Sequence, residues 1–490
     1  MADTQRQHVV IVGGGISGLS AAYYTIQNLE RAGLDWNVTV LEGGSRWGGK
    51  IITERIPWAE SQFIVEGGPD TFLATKPWAV QLCRELGLEE RLYGTNPQHK
   101  ATYVLHRGKL QPLPDGLAMM IPSDIPSILR SRLLTFPDKA RMGLDFLIPP
   151  KNRNGDESLG SFIRRRLGNA AYENLIEPLL SGIYAGDGDQ LSLAATFPYL
   201  RDMELKYGSL ARGARKMRQQ SQRNGKPTQG SRSAFLTPET GLLEIIERLV
   251  SVLQQKNVQL RLQSRVKQIY WMDESYVISL FGGETIRASH LIVATAAFQA
   301  AELLQSIDQH LAKLLLRIPY VSTATVSLAY PSKTLPHPLD GYGYVIPRKE
   351  MRQALACTWT STKFPHRAPQ DYRLVRVFIG RAGQQFEWDE PQLVEIAKSE
   401  LRQTLAIEHQ PVVARVFSWE KAMPQYNLGH PQMMQEIEKI LQNYSNLTLA
   451  GNAYYGIGIP DCIHSGLQAA QKIVVPDIVN RETPIWVEGR

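Results

Sequence analysis

The most constraining feature of the sequence is a glycine-rich turn between a strand pattern and a helix pattern. Residues 8–12 (HVVIV) are mostly β-branched, Gly13, Gly15 and Gly18 follow them, and an apolar-periodic helix pattern then extends through Leu19 and Ala22 to Ile26. In a βαβ unit such glycines allow a tight turn, close approach of the backbone to a pyrophosphate and close helix packing. The pattern therefore predicts a Rossmann-like nucleotide-binding unit at the start of the chain.

The second strand of that unit ends in an acidic residue, which restricts the nucleotide. Residues 37–42 form the strand pattern, and Glu42 stands where a carboxylate can accept hydrogen bonds from both ribose hydroxyls of an adenosine. An acidic residue there favours an unphosphorylated ribose, so FAD or NAD fits better than NADP. The amide groups around Ser17, at the helix start, are predicted to hold the phosphates.

A second glycine turn lies near the C-terminus. A strand pattern at 447–450 leads to a turn that contains Gly456 and Gly458, and a helix pattern begins near Pro460. Free amides and the positive end of the helix dipole suit an anion, and a reduced flavin is negatively charged. The nucleotide-binding domain is therefore predicted to combine both ends of the chain with a middle piece.

Composition excludes several other classes of protein. The 490 residues are 43% hydrophobic and 21% charged, which is typical of a globular protein of two or three domains. No apolar run approaches the roughly 18 to 20 residues of a spanning helix. The three cysteines lie far apart without ligand spacing, so neither a metal site nor a disulfide framework is predicted. No signal-peptide pattern opens the chain, which favours a cytoplasmic location.

Positive charge is concentrated in one stretch. The formal net charge is +7, and residues 201–232 contain nine Lys or Arg against Asp202 and Glu204. This stretch is either a solvated face around a loop or an attraction for an anionic substrate, partner or lipid surface, and the sequence leaves both open. Residues 219–234 are predicted to form a mobile loop, because they contain few apolar residues. Nucleic acid is not an expected partner, since no binding module accompanies the charge.

Longer segments carry a resemblance to known families. GGSRWGGK (43–50) and VEGGPDTF (65–72) resemble the flavin amine oxidase superfamily. ENLIEPLLSGIYAGDGDQLSL (173–193), WEKAMPQY (419–426) and YYGIGIPDCI (454–463) resemble the protoporphyrinogen and coproporphyrinogen III oxidase family, in particular its soluble bacterial branch. The resemblance covers nearly the whole chain.

This resemblance implies a fold. It is an α/β fold of mixed α+β content with a discontinuous Rossmann-like FAD domain of the flavin amine oxidase type, over residues 1–90, 235–298 and 412–476. A helical domain over 95–215 and a substrate domain over 299–411 with flanking pieces, built on a mixed or antiparallel sheet, complete it.

The resemblance also implies site residues. The expected contacts of a non-covalent FAD are Gly13, Gly15, Ser17, Gly18, Glu42, Arg46, Gly49, Lys50, Gly67, Gly68, Pro69, Asp70, Val266, Trp419, Gly458 and Ile459. The expected substrate contacts are Ile183, Ala185, Gly186, Val345 and Phe364. Asp70 is the candidate for taking a pyrrole proton, and a structural role at its turn is an equal alternative. The candidate partners of substrate propionates are Lys76, Lys100, Arg107, Lys206 and Arg212.

The activity that the resemblance implies is an oxygen-using, six-electron oxidation of coproporphyrinogen III to coproporphyrin III in haem biosynthesis, with release of hydrogen peroxide. Oxidation of protoporphyrinogen IX is the alternative, and a flavin amine oxidase is a more distant one. The implied partners are a porphyrinogen, dioxygen and, transiently, the next enzyme of the haem pathway. Peripheral contact with a membrane stays open.

Overall fold

The computed structural model describes residues 7–114, 121, 124–151, 155–223, 233–385 and 389–473. Within these ranges the strands are β1 (His8–Val12), β2 (Asn37–Leu41), β3 (Thr53–Trp58), β4 (Ser61–Glu66), β5 (Phe72–Leu73), β6 (Leu92–Gly94), β7 (Ala101–His106), β8 (Lys109–Pro112), β9 (Phe235–Pro238), β10 (Gln259–Arg261), β11 (Val266–Met272), β12 (Ser275–Leu280), β13 (Thr285–Ala288), β14 (His290–Val293), β15 (Tyr320–Pro331), β16 (Gly341–Val345), β17 (Ala354–Thr358), β18 (Tyr372–Ile379), β19 (Val413–Pro424) and β20 (Leu447–Leu449).

The helices of the same ranges are α1 (Ile16–Ala32), α2 (Pro77–Glu85), α3 (Ile125–Arg130), α4 (Phe136–Gly143), α5 (Leu159–Leu167), α6 (Asn169–Ala171), α7 (Glu177–Tyr184), α8 (Leu193–Thr196), α9 (Pro198–Tyr207), α10 (Leu210–Arg223), α11 (Leu243–Gln255), α12 (Ala297–Leu304), α13 (Gln309–Leu316), α14 (Thr360–Lys363), α15 (Glu390–Leu405), α16 (His430–Leu441) and α17 (Ile459–Gln471). None of these described helices is both long and apolar enough to cross a membrane.

A five-stranded parallel sheet joins the two ends of the chain to its middle. Its strand order is β10-β2-β1-β14-β20. Helices α1, α2, α11 and α17 pack on one face, while the β11-β12-β13 sheet and α12, α13 and α16 pack on the other. Burial on both faces explains why β1 and β14 are continuous apolar runs rather than alternating ones.

A seven-stranded sheet forms the second layer, in the order β19-β15-β18-β17-β16-β7-β8. Its pairs are antiparallel except for β16 with β7, which confirms the predicted mixed sheet. In β18 the side chains of Val375, Val377 and Ile379 pack with those of α15. Because side chains alternate along a strand, Leu374, Arg376 and Phe378 point to the opposite face.

The seven-stranded sheet includes two segments from outside residues 299–411, the main range predicted for the substrate domain. The helical domain was expected from residue 95, but residues 101–112 form the β7-β8 hairpin at the edge of the seven-stranded sheet. Residues 413–424 were expected in the FAD domain, but β19 pairs with β15 in the same sheet. Both segments pair over long sequence separations, and local sequence patterns do not reveal such pairing.

The helical region, α3 to α10, packs around an apolar core that includes Phe162, Ile163 and Leu175. The buried Arg166 is 2.5 Å from the carboxylate of Asp145 in this core. The first five residues of the predicted mobile loop, 219–223, are the end of α10, and residues 224–232 of that loop lie outside the described residues.

Candidate functional site

The first glycine turn has the geometry of a dinucleotide-binding turn. Gly13 has a φ of 115°, which favours glycine, and its N–H donates to the carbonyl of Leu41 at 2.8 Å. A Cβ added at Gly18 would lie 1.9 Å from the Gly13 oxygen, so α1 can approach the turn this closely only with glycine there. A Cβ added at Gly15 would meet no protein atom within 4 Å. The chain therefore leaves room beside Gly15, where the pyrophosphate of FAD fits.

Glu42 lies directly after β2, beside that turn. Its carboxylate accepts hydrogen bonds from the N–H groups of Gly14 and Gly44, both at 2.7 Å. The segment that leads to Val266 packs against it, because the Ser264 N–H donates to the Glu42 carbonyl at 2.8 Å. The predicted ribose contact, Glu42, and Val266, another predicted FAD contact, thus lie on neighbouring segments.

The Arg46–Lys50 segment docks onto the same turn. The N–H of Gly48 donates to the carbonyl of Gly14 at 2.8 Å. Arg46 donates to the carbonyls of Gly49 and Ile51, which closes the segment on itself. These contacts bring two predicted cofactor-binding segments together.

Lys50 extends from this segment into the interior. Its Nζ donates to the carbonyl of Ala422 on β19 and lies 6.0 Å from the ring centre of Tyr320. Burial lowers the pKa of Lys50 to about 8, although the nearby Cys462 thiol opposes the change. An anion placed near this ammonium group would favour its charged form.

The second glycine turn leads into α17 at the same edge of the parallel sheet, since β1 and β20 run in the same direction. Gly456 has a φ of 155° and donates its N–H to the hydroxyl of Tyr426 at 2.8 Å. Gly458 caps α17, and Ile459 is its first residue. The carboxylate of Asp461 lies 2.6 Å from Nζ of Lys76, so an ion pair lies at this helix start.

The Gly67–Asp70 segment lies against the seven-stranded sheet. The Gly67 carbonyl accepts from the indole N–H of Trp419 at 2.8 Å and from the hydroxyl of Thr325 at 3.0 Å. The Gly68 carbonyl accepts from Arg376. A Cβ at Gly68 would lie 1.9 Å from the carbonyl oxygen of Lys50, so the two glycine-rich segments touch here.

Asp70 is held between cations. Its carboxylate lies 3.2 Å from Nζ of Lys363 and accepts from the hydroxyl of Thr71 at 3.0 Å. Burial alone would raise the pKa of Asp70, but Lys363 and Arg376 outweigh burial and hold that pKa at about 2. Such a carboxylate is a weak base, and this geometry favours the structural alternative for Asp70 over proton transfer.

The structure brings together two of the five predicted substrate contacts. Ala185 and Val345 belong to one apolar cluster, whose other members are Val321, Leu355, Ala356, Phe378, Ala382 and Met423. Ile183, on the last turn of α7, is 45% exposed. Phe364 is not a member of this cluster. It is 1% exposed and lines a small cavity with Asp70 and Arg376.

The turn after α7 is fixed by residues that the sequence did not reveal. Arg348 donates to the carbonyls of Gly186 and Ala382, both at 2.9 Å. Gln425 donates to the carbonyl of Tyr184 at 2.8 Å. Ala185 has a φ of 49°, so the contacts hold a left-handed conformation that favours glycine. This turn places Ala185 in the apolar cluster on the seven-stranded sheet.

Sequence reasoning also missed Arg376, Lys363 and Thr325, which contact the Gly67–Asp70 segment. Each comes from the region between residues 320 and 380, from which the resemblance supplied only Val345 and Phe364 as candidate contacts. The signal for Arg376 was available, since it is the one charged residue in the apolar run LVRVFI of residues 374–379. A cation in such a strand needs a buried partner.

Comparison with known proteins agrees with the family resemblance found in the sequence. The family described as flavin containing amine oxidoreductase matches residues 16–474. The chain is 36% identical over 469 residues to the coproporphyrinogen III oxidase of Bacillus subtilis (strain 168), covering 95% of this chain and 97% of that protein. It is 33% identical over 484 residues to the coproporphyrinogen III oxidase of Staphylococcus aureus, covering 95% and 98%.

A solved structure is also similar over nearly the full length. It is a crystal structure from Exiguobacterium sp. 255-15, of a protein provisionally named a protoporphyrinogen oxidase. Its TM-score is 0.82 at 34% sequence identity, with 96% of this chain and 98% of that chain covered. The predicted fold class and the predicted resemblance are both confirmed.

Proposed function

The chain belongs to the flavin containing amine oxidoreductase family, and we propose that it oxidises coproporphyrinogen III to coproporphyrin III with FAD and dioxygen. Relatives 36% and 33% identical to this chain over most of its length are named coproporphyrinogen III oxidases. FAD is the cofactor, and the open space at Gly15, the carboxylate of Glu42 and the buried ammonium of Lys50 suit its pyrophosphate and ribose.

One observation carries the substrate proposal. The apolar cluster around Ala185 and Val345 adjoins the sheet face that holds the Gly67–Asp70 segment, because the guanidinium carbon of Arg376 lies 4.7 Å from the ring centre of Phe378. A porphyrinogen is a large apolar ring with an anionic rim. An apolar slot beside the cofactor, with few polar groups, suits the ring.

The chemistry removes six hydrogens from four pyrroles joined by CH2 bridges, which corresponds to three two-electron turnovers. When bound, FAD supplies the hydride acceptor and passes the electrons to dioxygen. The walls formed by Ala185, Val345 and Phe378 orient the ring and exclude water. No strong base is required, which agrees with the low pKa of Asp70.

Among the candidate propionate partners we favour Lys76. Its side chain is 43% exposed, and its Nζ pairs with Asp461 at the start of α17. Lys206 and Arg212 instead contact the rings of Tyr207 and Phe146 in the helical region. We therefore assign one propionate to Lys76, where a charge-assisted hydrogen bond would form at the edge of the site.

A product and oxygen balance tests this function. Purified FAD-loaded protein and coproporphyrinogen III should yield fluorescent coproporphyrin III, with three dioxygen molecules consumed and three hydrogen peroxide molecules released per ring. Primary and secondary amines serve as control substrates and should give no peroxide. Peroxide from an amine without turnover of any porphyrinogen would contradict the proposal.

The second candidate function is oxidation of protoporphyrinogen IX. The structural similarity to the Exiguobacterium protein favours it, because that protein carries the corresponding name. The two reactions share the cofactor and the ring chemistry and differ in the side chains of the ring. The contacts that seat propionates therefore separate them.

A further inference from the structure

A single buried arginine connects the cofactor-side segment to the substrate-side sheet. Arg376 lies in the middle of β18, paired with Ser327 of β15 and Thr358 of β17, and is 2% exposed. Its Nη2 donates to the Gly68 carbonyl, whereas its Nε and Nη1 have no hydrogen-bond partner among the described residues. Burying a guanidinium group with two unpaired nitrogens costs desolvation free energy, so a compensating role for Arg376 is expected.

The charges around this arginine do not cancel. The buried Arg367 is paired with Glu66 at 2.8 Å, so those two charges balance. Asp70 faces two cations, since Lys363 lies 3.2 Å from it and Arg376 also acts on it. The five groups therefore carry one net positive charge. Because Arg376 is almost fully buried, salt and water screen that charge only weakly.

Contacts with the sheet also orient the backbone of this segment. The Gly68 carbonyl receives a hydrogen bond from Arg376, and the Gly67 carbonyl receives hydrogen bonds from Trp419 and Thr325. In a trans peptide the Gly68 N–H points opposite to the Gly67 carbonyl, so Trp419 and Thr325 turn that N–H away from the sheet. The resemblance gives Gly68 as an FAD contact, and this N–H is the donor that it would offer.

We propose that Arg376 is a positioning residue that fixes the Gly67–Asp70 segment and holds the positive charge that makes the bound flavin easier to reduce. Reduction adds negative charge to the cofactor, and a preorganised cation nearby stabilises that charge without rearrangement. The proposal rests on the flavin binding of the proposed function and is independent of the substrate.

The experiment is a dye-coupled reductive titration of the FAD-loaded protein, which gives the midpoint potential without any porphyrinogen. Arg376→Gln should lower the reduction equilibrium constant at least tenfold, which for a two-electron couple is about 30 mV. Arg376→Lys keeps the charge and should restore at least half of the shift. Asp70→Asn removes a negative charge and should move the potential in the opposite direction.

Arg373→Gln is the matched control, because Arg373 lies on the same strand and, among the described residues, donates only to the nearby carbonyls of Gln370 and Tyr372. It should leave the potential unchanged. An unchanged potential in Arg376→Gln with FAD bound, or equal shifts in Arg376→Gln and Arg376→Lys, would overturn the proposal. If Arg376→Gln does not retain FAD, the midpoint potential of Asp70→Asn still tests the proposal. An unchanged or lowered potential in Asp70→Asn would contradict it. If the predicted shifts in potential are observed but the protein does not oxidise any porphyrinogen, only the proposed function is rejected.

Discussion

The two walls of the candidate site are built in different ways. The nucleotide wall consists of the two glycine turns and residues 42–50, and its contacts are mostly made by backbone groups close in sequence. The substrate wall, the side on which the substrate is predicted to bind, consists of the α7 turn and one face of the seven-stranded sheet. Side chains from that sheet, such as Thr325, Arg376 and Trp419, hold the Gly67–Asp70 segment. Backbone recognition requires glycine at fixed spacing, whereas side-chain recognition can use many residues.

This difference between the two walls predicts that the most damaging substitution replaces a glycine that packs against backbone atoms. Gly18→Val should prevent a stable FAD domain, because the added Cβ would lie 1.9 Å from a carbonyl oxygen that cannot move aside. We expect no yellow soluble protein, measured by flavin absorbance after purification. Gly282→Ala is the control, since its Cβ would meet no atom within 4 Å. A stable, FAD-loaded Gly18→Val protein would show that the turn is not closely packed.

Gly15→Ala separates folding from cofactor binding within the nucleotide wall. The backbone at Gly15 has a φ of -75° and its Cβ would meet no protein atom, so the FAD-free protein should keep its melting temperature. FAD affinity should fall by about a hundredfold, because the methyl group would occupy the space that suits the pyrophosphate. Calorimetric titration of the FAD-free protein with FAD measures this, and an unchanged affinity would place the pyrophosphate elsewhere.

Glu42→Ala should weaken FAD binding less. A hydrogen bond to a charged group contributes about 1.5 to 3 kcal/mol, which corresponds to a loss of roughly tenfold to a hundredfold in affinity. The same titration measures it. Glu30→Ala is the control, because the Glu30 carboxylate pairs with Lys256 on the surface at 2.7 Å, and its loss should leave FAD affinity unchanged. Equal losses of FAD affinity in the two variants would show that Glu42 does not contact FAD.

Ile183→Ala tests the substrate wall. Because Ile183 is 45% exposed, its truncation should leave the melting temperature and FAD content unchanged. If the side chain contacts the ring, kcat/KM for the porphyrinogen should fall about tenfold. Leu205→Ala is the control, with a side chain 51% exposed on α9. A fall in kcat/KM for both variants, or for neither, would argue against Ile183 as a substrate contact.

The smallest predicted effect is a pH dependence in the nucleotide wall. Without FAD the pKa of Lys50 is lowered to about 8, and the cofactor's diphosphate should raise it again. Binding then takes up a proton above pH 8, so FAD affinity should fall a few-fold as pH rises from 8 to 9. Lys50→Met should show a flat profile over that interval. Identical profiles for the two proteins would contradict a contact between Lys50 and FAD.

The nucleotide wall was largely predictable from the sequence. Gly13, Gly18 and Glu42 lie where their spacing placed them, since a βαβ unit is local and leaves few geometries for a short turn. The C-terminal turn followed from the same reasoning, because Gly456 and Gly458 precede a helix.

The substrate wall was not predictable in the same way. Arg376 reaches Gly68 across a separation of 308 residues, and Trp419 reaches Gly67 across 352. The β7-β8 hairpin joins its sheet through a parallel pair with β16, far along the chain. Ala185 and Val345 were predicted as substrate contacts only from the family resemblance, because no local sequence pattern marks them.

The most direct test of the account is the ratio of kcat/KM for coproporphyrinogen III and protoporphyrinogen IX, followed by product fluorescence in the same buffer without detergent. Coproporphyrinogen III has four propionates and protoporphyrinogen IX has two, and each satisfied propionate contributes a charge-assisted hydrogen bond. We expect a preference for coproporphyrinogen III of more than tenfold, reduced in Lys76→Met. A preference for protoporphyrinogen IX would contradict the substrate assignment.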